Sequence, residues 1–271
     1  MMDSRHALKL LALAGLTAAC SDSTGPDGDN GPDRSERFEW SGQIAPGSTV
    51  EVKGIGGDIS ASPVLGNTVV VAALKRGERD EPSSVKIEVV QHEDGVTICA
   101  VYPDVPSQPA NRCLPGFLNG HLSSRDNDVE VSFDVLVPVG SDFAGGTIGG
   151  DITADGLDGD VFARTLAGDI DISTSGLAVG TTMTGDVTAS IGRADWDRDL
   201  LFSSMDGNVA VRIPSGTNAR VSAIAWGSIS TDFPLRITRH GAFRQMLGVL
   251  GSGGRMLTLS TSNGNIVLRS N

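Results

Sequence analysis

The 271-residue chain is poor in aromatic residues: eight Phe, three Trp and one Tyr make up 4 % of it. So few large rings disfavour a broad globular interior and fit a thin core of stacked Val and Ile. Cysteine is scarce too. The three present, Cys20, Cys99 and Cys113, form no CxxC and no pairing with histidine at ligand spacing, so no metal centre is expected. The four histidines, His6, His92, His121 and His240, are scattered and read as surface residues. No G-x-S-x-G elbow, P-loop or dinucleotide fingerprint is present. The reading is therefore non-enzymatic, with no catalytic residue and no cofactor. A formal net charge of −12 argues against nucleic acid and against anionic lipid headgroups as partners.

Long apolar runs are also missing. The one run, residues 10–19, is too short to span a bilayer as a stable helix. With Arg5 and Lys9 before it, it reads as an export signal over residues 1–19. It ends in Leu16-Thr17-Ala18-Ala19-Cys20, which resembles the bacterial lipobox. That resemblance implies that Cys20 becomes the lipidated N-terminus of the mature chain and anchors it to a membrane. Loss of residues 1–19, with Asp3, Arg5 and Lys9, takes the charge from −12 to −13. Ser21, rather than Asp, follows Cys20; by its resemblance to the sorting rule of enteric bacteria, this implies delivery to the outer membrane. The expected location is the cell envelope, at the outer membrane or cell surface. Residues 20–37 contain almost nothing apolar and are expected to form a disordered tether.

What the chain has in abundance is glycine, 35 residues, much of it in a repeat. Gly150-Asp151-Ile152 returns as Gly159-Asp160-Val161, Gly168-Asp169-Ile170 and Gly185-Asp186-Val187, after 9, 9 and 17 residues. Looser copies follow at Gly207-Asn208-Val209, Gly227-Ser228-Ile229 and Gly264-Asn265-Ile266, and an early one stands at Gly57-Asp58-Ile59. Gly turns the chain, Asp or Asn tolerates the turn, and the aliphatic residue opens a short alternating strand. Such units bury their apolar faces only by stacking on one another. The predicted fold is all-β, a β-solenoid over residues 38–271 with rungs of roughly 18 to 20 residues.

Three stretches interrupt the pattern. Residues 103–128 carry four prolines and should not pair regularly. Cys99 and Cys113 bracket half of that segment; in an exported chain a disulfide between them is the favoured reading over free thiols. Residues 235–254 read as a loop or short helix. The chain stops just after its last strand, so an uncapped final rung with an edge open to another chain is expected.

The Gly-Asp series, with Val135 to Gly140 and Ile213-Pro214-Ser215-Gly216, resembles the DUF4097-type family of bacterial proteins labelled adhesins. The resemblance covers residues 38–271. It implies a β-solenoid at the cell envelope, an adhesin or surface scaffold, and brings no catalytic motif. A protein or glycan surface ligand is the expected partner, beside the membrane reached through Cys20.

Two sharper readings stay open. Asp151, Asp160, Asp169 and Asp186 would line one edge if the rungs stack, and a calcium-stabilised module would use them; the plainer reading has each Asp capping its own turn. Asp195, Asp197 and Asp199, with Arg193, Arg198 and Trp196, would suit glycan binding or cleavage; the plainer reading is a solvated loop.

Overall fold

The computed structural model describes residues 34–116 and 119–271. Residues 1–33, which hold the expected signal, Cys20 and most of the expected tether, lie outside the described residues.

The strands in chain order are β1 (Arg34–Gln43), β2 (Thr49–Lys53), β3 (Ile59–Val64), β4 (Thr68–Gly77), β5 (Lys86–His92), β6 (Gly95–Val101), β7 (Glu130–Pro138), β8 (Asp142–Gly146), β9 (Ile152–Leu157), β10 (Val161–Arg164) and β11 (Ile170–Thr174). They continue as β12 (Ala178–Thr184), β13 (Val187–Ile191), β14 (Leu200–Asp206), β15 (Val209–Ile213), β16 (Ala219–Ala225), β17 (Ile229–Thr231), β18 (Arg236–His240), β19 (Phe243–Leu250), β20 (Arg255–Asn263) and β21 (Ile266–Ser270). Among the described residues the fold is all-β, and one 3₁₀ turn, Pro82–Ser84, joins the strands. The first strand begins at Arg34, four residues ahead of the expected start of order, because Arg34 to Phe38 already pair with β4.

Two large mixed sheets hold all the strands. Sheet one runs β1-β4-β7-β3-β9-β11-β13-β15-β21-β17 and sheet two runs β18-β19-β16-β20-β14-β12-β10-β8-β2-β6-β5. From β8 to β15 the chain alternates between them, and each strand pairs parallel with the strand one circuit away. Ile170, for instance, pairs with Ile152 on one side and Val187 on the other. The nine-residue spacing is thus half a circuit: Gly159-Asp160-Val161 starts a strand of sheet two between two starts in sheet one. Alternation along each short strand sends one set of side chains inward. Ile170 and Ile172, Val187 and Ala189, Val161 and Ala163 are all buried, and three phenylalanines, Phe133, Phe143 and Phe202, are the largest fully buried side chains. Each buried Ile, Val or Phe contributes about 1.5–3 kcal/mol by removal from water.

The ends depart from sequence order. The last circuit, β20 and β21, is not terminal: β20 lies between β14 and β16, and β21 between β15 and β17. The first circuit is likewise interior, β2 between β6 and β8 and β3 between β7 and β9. The expectation of an open C-terminal rung is therefore corrected. Residues 235–254 are also neither loop nor helix. They form the antiparallel pair β18–β19, with β19 laid along β16. The edge strands at this end are poor templates for another chain. β17 has three residues, and β18 carries Arg236, Arg239 and His240; short or charged edges resist pairing.

Candidate functional site

The Gly-Asp corner builds three ladders, one for each of its polar positions. Asp58 Oδ1 accepts the backbone N–H of Asp151, Asp151 Oδ1 that of Asp169, and Asp169 Oδ1 that of Asp186, at 2.7–2.9 Å. The series continues through Asp186 to Asn208, Asn208 to Asn265 and Asn265 to Ser228. Its order in space is the strand order of sheet one. The reading that each Asp caps its own turn is corrected: each caps the next rung. Like charges stacked one strand apart repel, and charge-assisted bonds to N–H groups offset this. Toward the far end amides replace the carboxylates, and Asn208 Nδ2 donates to Asp186.

The second ladder is glycine on glycine. Gly150 sits against Gly57 O, Gly168 against Gly150 O, Gly185 against Gly168 O and Gly207 against Gly185 O. The third is a hydroxyl three residues before the glycine, present in five of the copies. Thr165 Oγ1 donates to Gly150 O at 3.1 Å, Thr182 Oγ1 to Gly168 O at 3.0 Å, Ser204 Oγ to Gly185 O and Thr261 Oγ1 to Gly207 O at 2.7 Å. Sequence reasoning missed these hydroxyls, although a Ser or Thr recurs at that offset in five copies, from Thr147 onward. A sharp test separates charge from hydrogen bonding at Asp169. Asp169→Ala leaves the Asp186 N–H without its acceptor and should cost about 1–3 kcal/mol. Asp169→Asn keeps an acceptor and should stay within about 0.5 kcal/mol of wild type; urea denaturation of both variants measures the difference.

Between the hydroxyl and the glycine an apolar residue faces out in rung after rung. Ile148, Leu166, Met183 and Met205 are all exposed, at 42–54 %, and Ile55, half-buried, precedes them. Backbone bonds tie them in order: Ile148 N–H to Ile55 O, Ala167 N–H to Ile148 O, Thr184 N–H to Leu166 O. At a strand spacing of about 4.8 Å they form an apolar row along the corner, flanked three residues on by exposed Asp151, Asp169 and Asp186. A groove of about 340 Å³ opens beside Ile148 and Leu166, its other wall made by Asn119, Gly120 and Leu122.

The Asp195–Asp199 stretch does not present its ring for stacking on a sugar. Trp196 is 7 % exposed, and its indole N–H donates to Arg193 O at 2.8 Å. Arg193 and Arg198 turn to buried Asp160, at 3.4 and 3.3 Å, and to Asp197, while Arg198 lies over the Phe162 ring. Asp160 also accepts the Leu177 N–H and Asp199 the Met256 N–H. Burial raises the neighbouring Asp142 carboxyl above its ordinary pKa. The glycan reading drew on a ring free to stack, and that ring is internal. Asp195 is exposed, and its carbonyl accepts from Arg193.

Cys99 and Cys113 are bonded, with Cα atoms 5.6 Å apart. The bridge fastens the proline-rich segment to β6, where its backbone closes over Lys53. Lys53 Nζ donates to Leu114 O, Gly116 O and Asn119 O at 2.7–2.9 Å and lies 3.3 Å from Glu51 Oε1. Glu51 Oε2 accepts from Thr97 Oγ1 and from the Gly116 N–H, and His92 Nε2 is 3.2 Å from the Thr97 hydroxyl. A partly open cavity of about 450 Å³ beside Glu51 and His92 has Pro115 and Gly116 in its wall. His121 lies on this segment, in an isolated bridge to Arg112, and His240 stacks on Phe243 at 5.5 Å. Reducing the disulfide, or Cys99→Ser with Cys113→Ser, should cost about 3 kcal/mol for a loop of this length. Thermal melting with and without reductant reads it.

Among the described residues no cluster of three or more His, Cys, Asp or Glu is placed to hold a metal ion, and no helix is long and apolar enough to cross a membrane. No protein-family profile matches the chain, and no curated protein does. Among solved structures it is similar to a putative cell adhesion protein from Clostridium sporogenes ATCC 15579, at 11 % identity and a TM-score of 0.41, over 87 % of this chain and 100 % of that one. It is also similar to a putative adhesin from Bacteroides fragilis NCTC 9343, at 12 % identity and a TM-score of 0.39, over 87 % of this chain and 97 % of that one. Likeness at this level carries no functional argument.

Proposed function

We propose that this chain is a non-enzymatic lipoprotein of the cell envelope, anchored through Cys20, whose stacked circuits form a β-solenoid of the DUF4097 type and act as an adhesin or surface scaffold. The observation that carries the reading is the exposed row Ile148, Leu166, Met183 and Met205. Contiguous apolar surface on an exposed face marks a place of contact, and here the same three ladders that hold the stack together repeat it over four successive rungs, from Ile148 to Met205. The carboxylates beside it are engaged in hydrogen bonds to backbone N–H groups, which favours a binding role over acid–base chemistry. A protein partner suits the row better than a glycan, because its side chains are aliphatic and thioether. A partner helix brings an apolar side chain round about every 5.4 Å, close to the rung spacing of about 4.8 Å.

The test has two arms. Cys20→Ala should move the protein from the membrane to the soluble fraction of the expressing cells; an unchanged membrane fraction overturns the anchor. Cells displaying the wild-type chain should be retained on a layer of like cells, and Leu166→Glu with Met183→Glu should lower retention roughly fivefold or more, as for two contact residues worth about 1 kcal/mol each. Equal retention overturns the corner as the binding face.

A further inference from the structure

The charge of the chain is not spread evenly. Residues 207–271 hold seven arginines, no lysine and a single acidic residue, Asp232, a net charge of +6; the −12 of the whole chain therefore becomes −18 over residues 1–206. Four of these arginines, Arg220, Arg236, Arg239 and Arg244, lie in β16 to β19 at one end of the stack, beyond the inserted last circuit, and Arg212, Arg255 and Arg269 lie in β15, β20 and β21 beside them. Among the described residues only one of the seven arginines, Arg269, has a carboxylate partner, Asp232.

The same end carries exposed apolar side chains. On the outer face of sheet two, Leu247 and Val249 of β19 are 53 % and 59 % exposed, and Ile224 of β16 stands on the same face. Register places Arg220 opposite Val249 and Arg236 opposite Leu247. Trp226, 58 % exposed, sits at the corner that follows β16. Arginines interleaved with aliphatic side chains and an exposed Trp match an anionic lipid surface: the guanidinium groups meet phosphate, the aliphatic chains enter the headgroup boundary, and Trp prefers that depth. A nucleic-acid face would have no use for Leu247, Val249 and Ile224.

We infer that the β16–β19 end is a docking surface for an anionic lipid bilayer. Its one strand in sheet one, β17, is the edge of that sheet opposite β1, nine strand spacings or about 43 Å away. The whole-chain charge hides this end, because the acidic circuits outweigh it. An acyl chain alone gives reversible binding, and a second contact of this kind makes anchoring firm.

The experiment uses the full chain carrying Cys20→Ala, so that no acyl chain contributes and the result is independent of the lipoprotein reading. Co-sedimentation with phosphatidylcholine vesicles, with and without phosphatidylglycerol, should show binding only to the anionic vesicles, weakening as salt rises. Arg220→Glu with Arg236→Glu should weaken that binding roughly tenfold or more, and Leu247→Ser with Val249→Ser should weaken it independently. All four side chains are exposed, and an unchanged melting temperature verifies the fold; should the reversal variant melt early, Arg220→Gln with Arg236→Gln replaces it, with a smaller loss in the same direction. Equal binding to neutral vesicles, no binding at low salt, full retention in the charge variants, or tighter binding to duplex DNA than to vesicles would each overturn the inference.

Discussion

Gly168→Ala is expected to destabilise the protein by about 3–5 kcal/mol, the sum of an overpacking cost and a backbone-strain cost. Gly168 has φ +152°, and a Cβ built there falls 2.0 Å from Gly150 O and 2.5 Å from Gly150 C. The obstructing atoms are backbone, fixed by the parallel pairing of β9 with β11, so nothing flexible can yield. To make room the rungs must part, which breaks the Asp151 and Thr165 bonds at the same corner. Gly185→Ala meets the same obstacle at 2.1 Å from Gly168 O and should cost as much. Two controls separate strain from collision. Gly47 has φ +78° with nothing within 4 Å, and Gly216 has open space at an ordinary φ; Gly47→Ala should cost about 1–2 kcal/mol and Gly216→Ala close to nothing. At roughly 2–4 °C per kcal/mol for a domain of this size, the melting temperature of Gly168→Ala should fall by about 10 °C. A fall no larger than that of Gly47→Ala would mean that the glycine ladder does not set the rung spacing.

That ladder was the most legible part of the chain. Glycine at a fixed place in the turn, an Asp or Asn after it and an aliphatic residue after that are local requirements, and local requirements are written at every copy. The all-β class followed, as did the alternation that buries Ile170 and Ile172. The partner of each Asp was not legible. A carboxylate bonding its own turn and one bonding the next rung leave the same residues in the same places, and only stacking distinguishes them.

Strand order was also illegible, for a related reason. Parallel neighbours come from distant segments, and each copy of the corner presents the same glycine carbonyl and the same acceptor. Nothing local tells Asn208 to receive Asn265, 57 residues on, rather than Ser228, 20 residues on. The 36 residues between Gly227 and Gly264 contain the clue: they hold the β18–β19 pair, which covers the flank of β16 and lets the chain return on its other side. The exposed row was missed because inward and outward positions were judged within strands, while Leu166 and Met183 belong to the corners. The basic end was missed because charge was counted over the whole chain, and charge acts locally.

Lys53→Met is expected to cost about 3–5 kcal/mol, the usual loss when one partner of a buried ion pair is removed. Lys53 and Glu51 are 8 % and 4 % exposed, so the methionine would leave a carboxylate in the interior without its cation. It would also leave the Leu114, Gly116 and Asn119 carbonyls without their shared donor. The loss therefore has two parts, and a second substitution divides them. Glu51→Gln beside Lys53→Met removes the isolated charge while keeping an oxygen for Thr97 Oγ1 and the Gly116 N–H. The double variant should recover a large share of the stability lost, as measured by urea denaturation. What it should not recover is the closure of the segment, because the three carbonyls still lack a donor. With Cys99 and Cys113 bonded and the Gly116 N–H still held by residue 51, that segment stays attached but loses its three carbonyl contacts, so proteolysis under native conditions should cut near Leu114 or Asn119 in both variants and spare the wild type. Equal protease resistance in all three proteins would mean that the disulfide alone holds the segment and that Lys53 serves only to neutralise Glu51.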